Sequence, residues 1–179
     1  MPRLRKILKS RRTRDLRILI GRSVINHLDK STKSCAAAPE TGGIFIGCYR
    51  GPHIELTDFT TQGLNDISGN LSFHKRDKSH QSAASKAWRE SRGTHTWLGE
   101  WHTHPSGGPS PSGTDLNSWR RLTDHSASPM VFAVVSPAGW KAFLSMPFEI
   151  GIRQMELAES GETGDIYGLS LPLITPRRA

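Results

Sequence analysis

The chain reads as a single α/β domain in which a mixed β-sheet is flanked by helices. Three features predict this: short apolar or alternating segments of strand length, helical periodicities set between them, and no internal repeat or long low-complexity linker. At 179 residues it is long enough to bury a real core within one domain.

Arg17-Ile-Leu-Ile20 is a short strand, and Ser23 to Lys33 is a helix with Val24, Ile25 and Leu28 on one face. Gly42 to Gly47 is a buried strand, turned at Arg50-Gly-Pro52 into His53 to Phe59. The latter alternates with period two, so it is half-buried and pairs with its predecessor. Residues 60–78 are polar and irregular around Ser72-Phe-His74, and the alanines of Ser79 to Arg92 suit a helix. Trp97 to Thr103 is a strand ended by Pro105. A Gly/Pro/Ser loop runs to Pro111, and Ser112 opens a helix reaching about Thr123. Pro129 to Ser136 and Trp140 to Met146 form a closing hairpin. Residues beyond Met146 are weakly patterned, and Pro176 to Ala179 reads as loose. The expected organisation is a basic arm over residues 1–17, a domain over 18–150 and a C-terminal extension over 151–179.

The net charge of +8 is concentrated in one place. Residues 1–22 carry nine Lys/Arg against Asp15, while the remainder holds fifteen basic and fifteen acidic side chains. The pI near 10.0 therefore describes an arm and not a face of the domain. An acidic partner or nucleic acid bound through residues 3–22, a solvated arm and an Arg-rich transit peptide all fit this composition. No apolar run is long enough to span a bilayer and no apolar stretch follows the basic N-terminus as in a secretory signal, so a cytoplasmic protein without membrane contact is expected. Cys35 and Cys48 form no CxxC pair and read as ordinary thiols.

Chemistry concentrates between Glu100 and Asp115. On a strand, His102 and His104 point to the same face about 6.6–6.8 Å apart along the chain, close enough for both imidazoles to reach one ion, while Thr103 points away. Ser112-Gly-Thr-Asp115 has the spacing of a capping box, in which Asp115 bonds the Ser112 N–H; a ligand role would turn the same carboxylate toward the histidines. Two histidines and a carboxylate leave a fourth tetrahedral position for water, the arrangement of a catalytic zinc. His27, His53, His80, His95 and His125 read as surface or loop residues, with His74 at most bordering a cleft. Trp88, Trp101, Trp119 and Trp140 read as core.

The ordered motif HxHPx(6)SxxD, met by His102, His104, Pro105, Ser112 and Asp115, resembles that of JAMM (JAB/MPN) metalloproteases. Pro39-Glu-Thr-Gly-Gly-Ile-Phe-Ile-Gly47 is similar to the family's upstream glutamate strand, and Leu98-Gly-Glu-Trp-His-Thr-His-Pro105 to its bacterial JAB branch. The resemblance runs from about Ile18 to Met146. It implies a cytidine-deaminase-like fold and a zinc peptidase or isopeptidase, with Zn²⁺ on His102, His104 and Asp115, Glu40 as general base and Ser112 as oxyanion donor. Glu100 is a competing base, or else an orienting partner of a ligand or a solvent-facing strand residue. The implied substrate is the amide after the tail of a ubiquitin-like or similarly conjugated protein, with residues 60–78 as a clamp. The compact chain most resembles the isopeptidases of cyclic-oligonucleotide antiphage operons, which release a nucleotidyltransferase from its targets. Alternatives are processing of a sulfur-carrier precursor or small adduct, a RadC-like protein, and an interaction or nucleic-acid-binding module.

Overall fold

In the computed structural model residues 16–36 and 38–174 are described. Most of the basic arm and Pro176 to Ala179 therefore lie outside the described residues.

β1 (Arg17–Gly21) buries Ile18 and Ile20 and leads directly into α1 (Arg22–Ser34). α1 turns Val24, Ile25, Leu28 and Ser31 inward, the spacing of one helix face. β2 (Gly42–Arg50) and β3 (His53–Phe59) form the expected hairpin across Gly51, whose φ of +61° suits glycine. The polar stretch that follows contains a miniature hairpin of β4 (Ile67–Ser68) and β5 (Phe73–His74). α2 (Lys78–Glu90), β6 (Thr96–Thr103), α3 (Gly113–Ser126), β7 (Met130–Ser136) and β8 (Gly139–Ser145) come next, close to their expected bounds.

β7 explains the layering. Val131, Ala133 and Val135 pack with α1, whereas Met130, Phe132 and Val134 pack with Leu116 and Trp119 of α3. A strand buried on both faces reads as a continuous apolar run, and each of its buried valine, methionine and phenylalanine side chains contributes about 1.5–3 kcal/mol. α2 lies outside this sandwich against β2 and β6, and of its side chains only His80 is fully buried.

The mixed sheet flanked by helices is as expected, but it also closes on itself in the order β1-β10-β9-β8-β7-β6-β2-β3, with β3 parallel to β1. Closure is made by β9 (Ile152–Ser160) and β10 (Gly164–Ile174), in the weakly patterned C-terminal stretch. β9 buries only Ile152 and Met155 and is exposed over its second half, so it carries no alternation to read. Pro172 of β10 falls inside the register shift between Leu169 and Leu173.

Two local devices aim β6 at the site. Gly99, at φ +148°, lies so close to β7 that an added Cβ would sit 1.7 Å from the Val131 carbonyl oxygen. The register with β2 shifts there, Phe45 facing Gly99 and Ile46 facing Trp97. Leu98 and Trp101 consequently share the α1 core, and His102 emerges on the opposite face, 5.8 Å from the Trp119 ring. At Gly42, opposite His102, a Cβ would meet the Trp101 carbonyl oxygen at 2.3 Å, so glycine alone lets the two strands approach.

Candidate metal centre and cleft

β6 and the first turn of α3 bring His102, His104 and Asp115 together at one end of a cleft of about 480 Å³. The two imidazole Nε2 atoms are 3.0 Å apart. Asp115 places Oδ1 3.2 Å from His102 Nε2 and Oδ2 3.4 Å from His104 Nε2. A tetrahedral ion with bonds of about 2.0–2.1 Å spaces its ligands about 3.3–3.4 Å apart. Two imidazoles and a carboxylate, with one ligand atom from each lying within 4.8 Å of the others, suit a zinc-type ion, and three protein donors leave the fourth tetrahedral position for water.

The capping role of Asp115 is also present. Its Oδ2 accepts the Ser112 N–H at 2.6 Å, and Ser112 Oγ accepts the Asp115 N–H at 3.2 Å. The cap and the approach to the histidines, alternatives on sequence grounds, are served by one carboxylate. The Ser112 hydroxyl keeps its own proton free to donate toward the cleft it lines. Burial pushes the Asp115 carboxyl up, but hydrogen bonds to His102 and His104 outweigh this and hold it well below the usual carboxylate range. The same contact with Asp115 raises His104, against the opposing effect of burial.

Glu40, 7% exposed, lines the cleft just before β2. Its N–H donates to the Gly69 carbonyl of the small hairpin at 2.8 Å. The next residue is clamped to β6 twice: the Thr41 N–H donates to Thr103 Oγ1 at 2.9 Å, and the Thr103 N–H to the Thr41 carbonyl at 2.8 Å. Thr103 does point away from the histidines, and it uses that direction to tie the Glu40 segment to their strand. Burial raises the Glu40 pKa above its ordinary value, partly countered by His102 and His104. Such a carboxylate is a better proton acceptor than a solvated one.

The β4–β5 hairpin forms one wall through Leu71, Ser72, Phe73, His74 and Lys75. Its anchor is Asp66, which sequence reasoning missed. Asp66 Oδ1 accepts the N–H groups of Arg76 (2.7 Å) and Asp77 (2.8 Å); Oδ2 accepts the Gly63 N–H (2.7 Å) and pairs with His80 Nε2 (2.8 Å). Burial alone would raise its pKa, but these donors bring it down to about 2. Lys75, also missed, spans the cleft to Glu100 at 2.7 Å. A polar stretch between β3 and α2 offers no periodic signal for either residue.

Three side chains depart from expectation. His80 is 6% exposed, not a surface residue, because Asp66 and the Thr60 hydroxyl (2.6 Å) take both ring nitrogens. His27 is half-buried, stacked on Phe59 at 4.0 Å with its edge toward Trp101. Trp88 is 52% exposed and covers the turn at Gly93 instead of entering the core, since α2 lies outside the sandwich. Trp119, by contrast, is buried and stacks on Phe132 at 4.6 Å.

Comparison with known proteins points to one family. Residues 27–145 match the family described as prokaryotic homologs of the JAB domain. A "CD-NTase/cGAS isopeptidase" of Vibrio cholerae is 39% identical over 107 residues, covering 60% of this chain and 69% of that relative. A protein of the same description from Escherichia coli is 31% identical over 105 residues, covering 59% of this chain and 67% of the relative. A "Probable metalloprotease" of Sinorhizobium fredii is 32% identical over 85 residues, 46% of this chain and 52% of the relative. Protein DSY2949 from Desulfitobacterium hafniense, known from a solution structure, shares the fold with a TM-score of 0.58 at 20% identity, covering 82% of this chain and 94% of that one. With two thirds of its length inside the family match and the HxHP and SxxD elements converging on one point, the chain belongs to the prokaryotic homologs of the JAB domain.

Proposed function

We propose that this chain is a zinc-dependent isopeptidase. It hydrolyses the amide that joins the C-terminal tail of a conjugated protein to a lysine side chain. Its substrate is a nucleotidyltransferase of the CD-NTase type linked to a second protein, the site of action is the cytoplasm, and the setting is bacterial antiviral defence. The observation that carries the reading is the convergence of His102, His104 and Asp115 beside the buried Glu40. The names of the relatives support the substrate.

His102, His104 and Asp115 would hold the zinc, which when bound lowers the pKa of water toward about 7 and polarises a carbonyl. Glu40 accepts a proton from the attacking water and returns it to the leaving nitrogen, a role that contributes about 10²- to 10⁴-fold. Ser112 donates a hydrogen bond from its hydroxyl to the developing oxyanion, and the Trp119 ring lies 5.8 Å from that of His102. The hairpin wall confines an extended tail within the cleft. No helix among the described residues is long and apolar enough to cross a membrane.

The test is cleavage of a purified CD-NTase–lysine conjugate by the wild type and by Glu40→Gln, with and without a chelator. Cleavage by the wild type alone, abolished by chelator and restored by zinc, is the expected result. Equal turnover by Glu40→Gln removes Glu40 from the mechanism. Cleavage that survives complete metal removal refutes the metal-dependent reading altogether.

A further inference from the structure

Three carboxylates line the cleft; Glu40 and Asp115 have roles in the mechanism above, and Glu100 has none. Glu100 lies two residues before His102 on the same strand, about 6.6–6.8 Å away along it. Its side chain is 10% exposed, and its only partner among the described residues is the ammonium of Lys75 at 2.7 Å. Lys75 comes from the hairpin wall with 23% of its side chain exposed. Beyond this ion pair the cleft continues into a second hollow of about 330 Å³, bordered by Arg76, Ser118 and Leu122. The Lys75–Glu100 contact therefore stands as a partition between the metal end and this outer hollow.

A carboxylate this buried requires a cation, yet an ammonium satisfies it as a point charge without fixed fork geometry. One primary ammonium can replace another there, provided the first can withdraw into water. Lys75 can, through the exposed side of its stem. Hydrolysis of an isopeptide bond generates such a replacement. The C–N bond breaks, a C–O bond forms from water, and both water protons end on the nitrogen, leaving a carboxylate and an alkyl ammonium.

We propose that Glu100 receives the lysine ammonium released by the reaction, and that Lys75 occupies this position until that ammonium displaces it. The inference rests on the isopeptidase reading and adds the leaving-group side to it. Glu100 is then a specificity-determining residue that favours a primary amine on an unbranched stem. The outer hollow takes the remainder of the lysine-bearing protein. An α-peptide leaving group, branched at the carbon next to nitrogen, has no such stem to lay past Lys75.

The test is binding of Nα-acetyl-lysine methylamide to the full-length protein, followed by NMR titration. The Nε-acetylated compound serves as an uncharged control. Lys75→Met removes the internal competitor and should tighten binding about tenfold or more over wild type. Lys75→Met combined with Glu100→Gln keeps the volume of the pair without either charge and should abolish binding. The uncharged control should bind none of the proteins. Unchanged affinity in Lys75→Met, or binding that survives Glu100→Gln, overturns the proposal. Because the titration needs no turnover, it stands apart from the conjugate assay: amine binding without cleavage refutes the isopeptidase reading alone, and cleavage without amine binding refutes the role of Glu100 alone.

Discussion

Replacing Asp66 with asparagine should loosen the hairpin wall and cost stability by an amount that the structure lets one estimate. Each carboxylate oxygen of Asp66 serves two donors: Arg76 and Asp77 on Oδ1, Gly63 and His80 on Oδ2. An asparagine keeps one oxygen and turns an NH₂ toward the other two donors. Its side-chain site is fully buried, so water cannot substitute. Two unmet buried donors at about 1–3 kcal/mol each give about 2–6 kcal/mol. At a midpoint of about 4 kcal/mol and about 2–4 °C per kcal/mol for a domain of this size, the melting temperature falls by about 8–16 °C at pH 7. The effect is also pH-dependent. The folded pKa is lowered to about 2 from the ordinary 3.8, so the stabilisation, about 2 kcal/mol, is complete above pH 3.8 and is lost as pH falls through 2. The gap between wild type and variant should therefore narrow from pH 4 to pH 2. Thermal melts across that range, with amide exchange at Gly63, Arg76 and Asp77, measure both quantities. A shift under about 2 °C with unchanged exchange at those amides would refute the view of Asp66 as the anchor.

Thr103→Val removes the acceptor of the Thr41 N–H and should lower kcat about tenfold while zinc content stays at wild-type level, with recovery in Thr103→Ser; a loss of zinc instead would mean that Thr103 acts on the histidines. Asp115→Asn should abolish zinc retention on dialysis, while the amide oxygen still caps Ser112. Zinc retained at the wild-type level would show the carboxylate to be chiefly a cap. Gly99→Ala places a Cβ against the Val131 carbonyl and should reduce soluble yield and stability by more than about 3 kcal/mol; a variant within 1 °C of wild type would contradict the close β6–β7 approach.

Much of the centre was legible because its residues are close in sequence and each spacing has one local meaning. An HxH pair on a strand shares a face, and SxxD at a helix start puts the carboxylate in the first turn, whatever the rest of the chain does. Glu40 was reached only through family resemblance, since sixty-two residues separate it from His102 and nothing in its neighbourhood marks a base. Asp66, Lys75 and the burial of His80 were not reached at all. Their significance lies in partners contributed by other segments, and a polar loop leaves no period to count.

The division is physical. Alternation, helical periodicity, capping and turn chemistry are local free-energy preferences, so the chain alone determines its strands, its helices and the two converging imidazoles with their helix-borne carboxylate. Barrel closure by β9 and β10, the Gly99 bulge that sends His102 toward α3, and the Lys75–Glu100 partition depend on contacts between distant segments. Those contacts acquire their energy only once the core has formed, and the tertiary structure alone decides them.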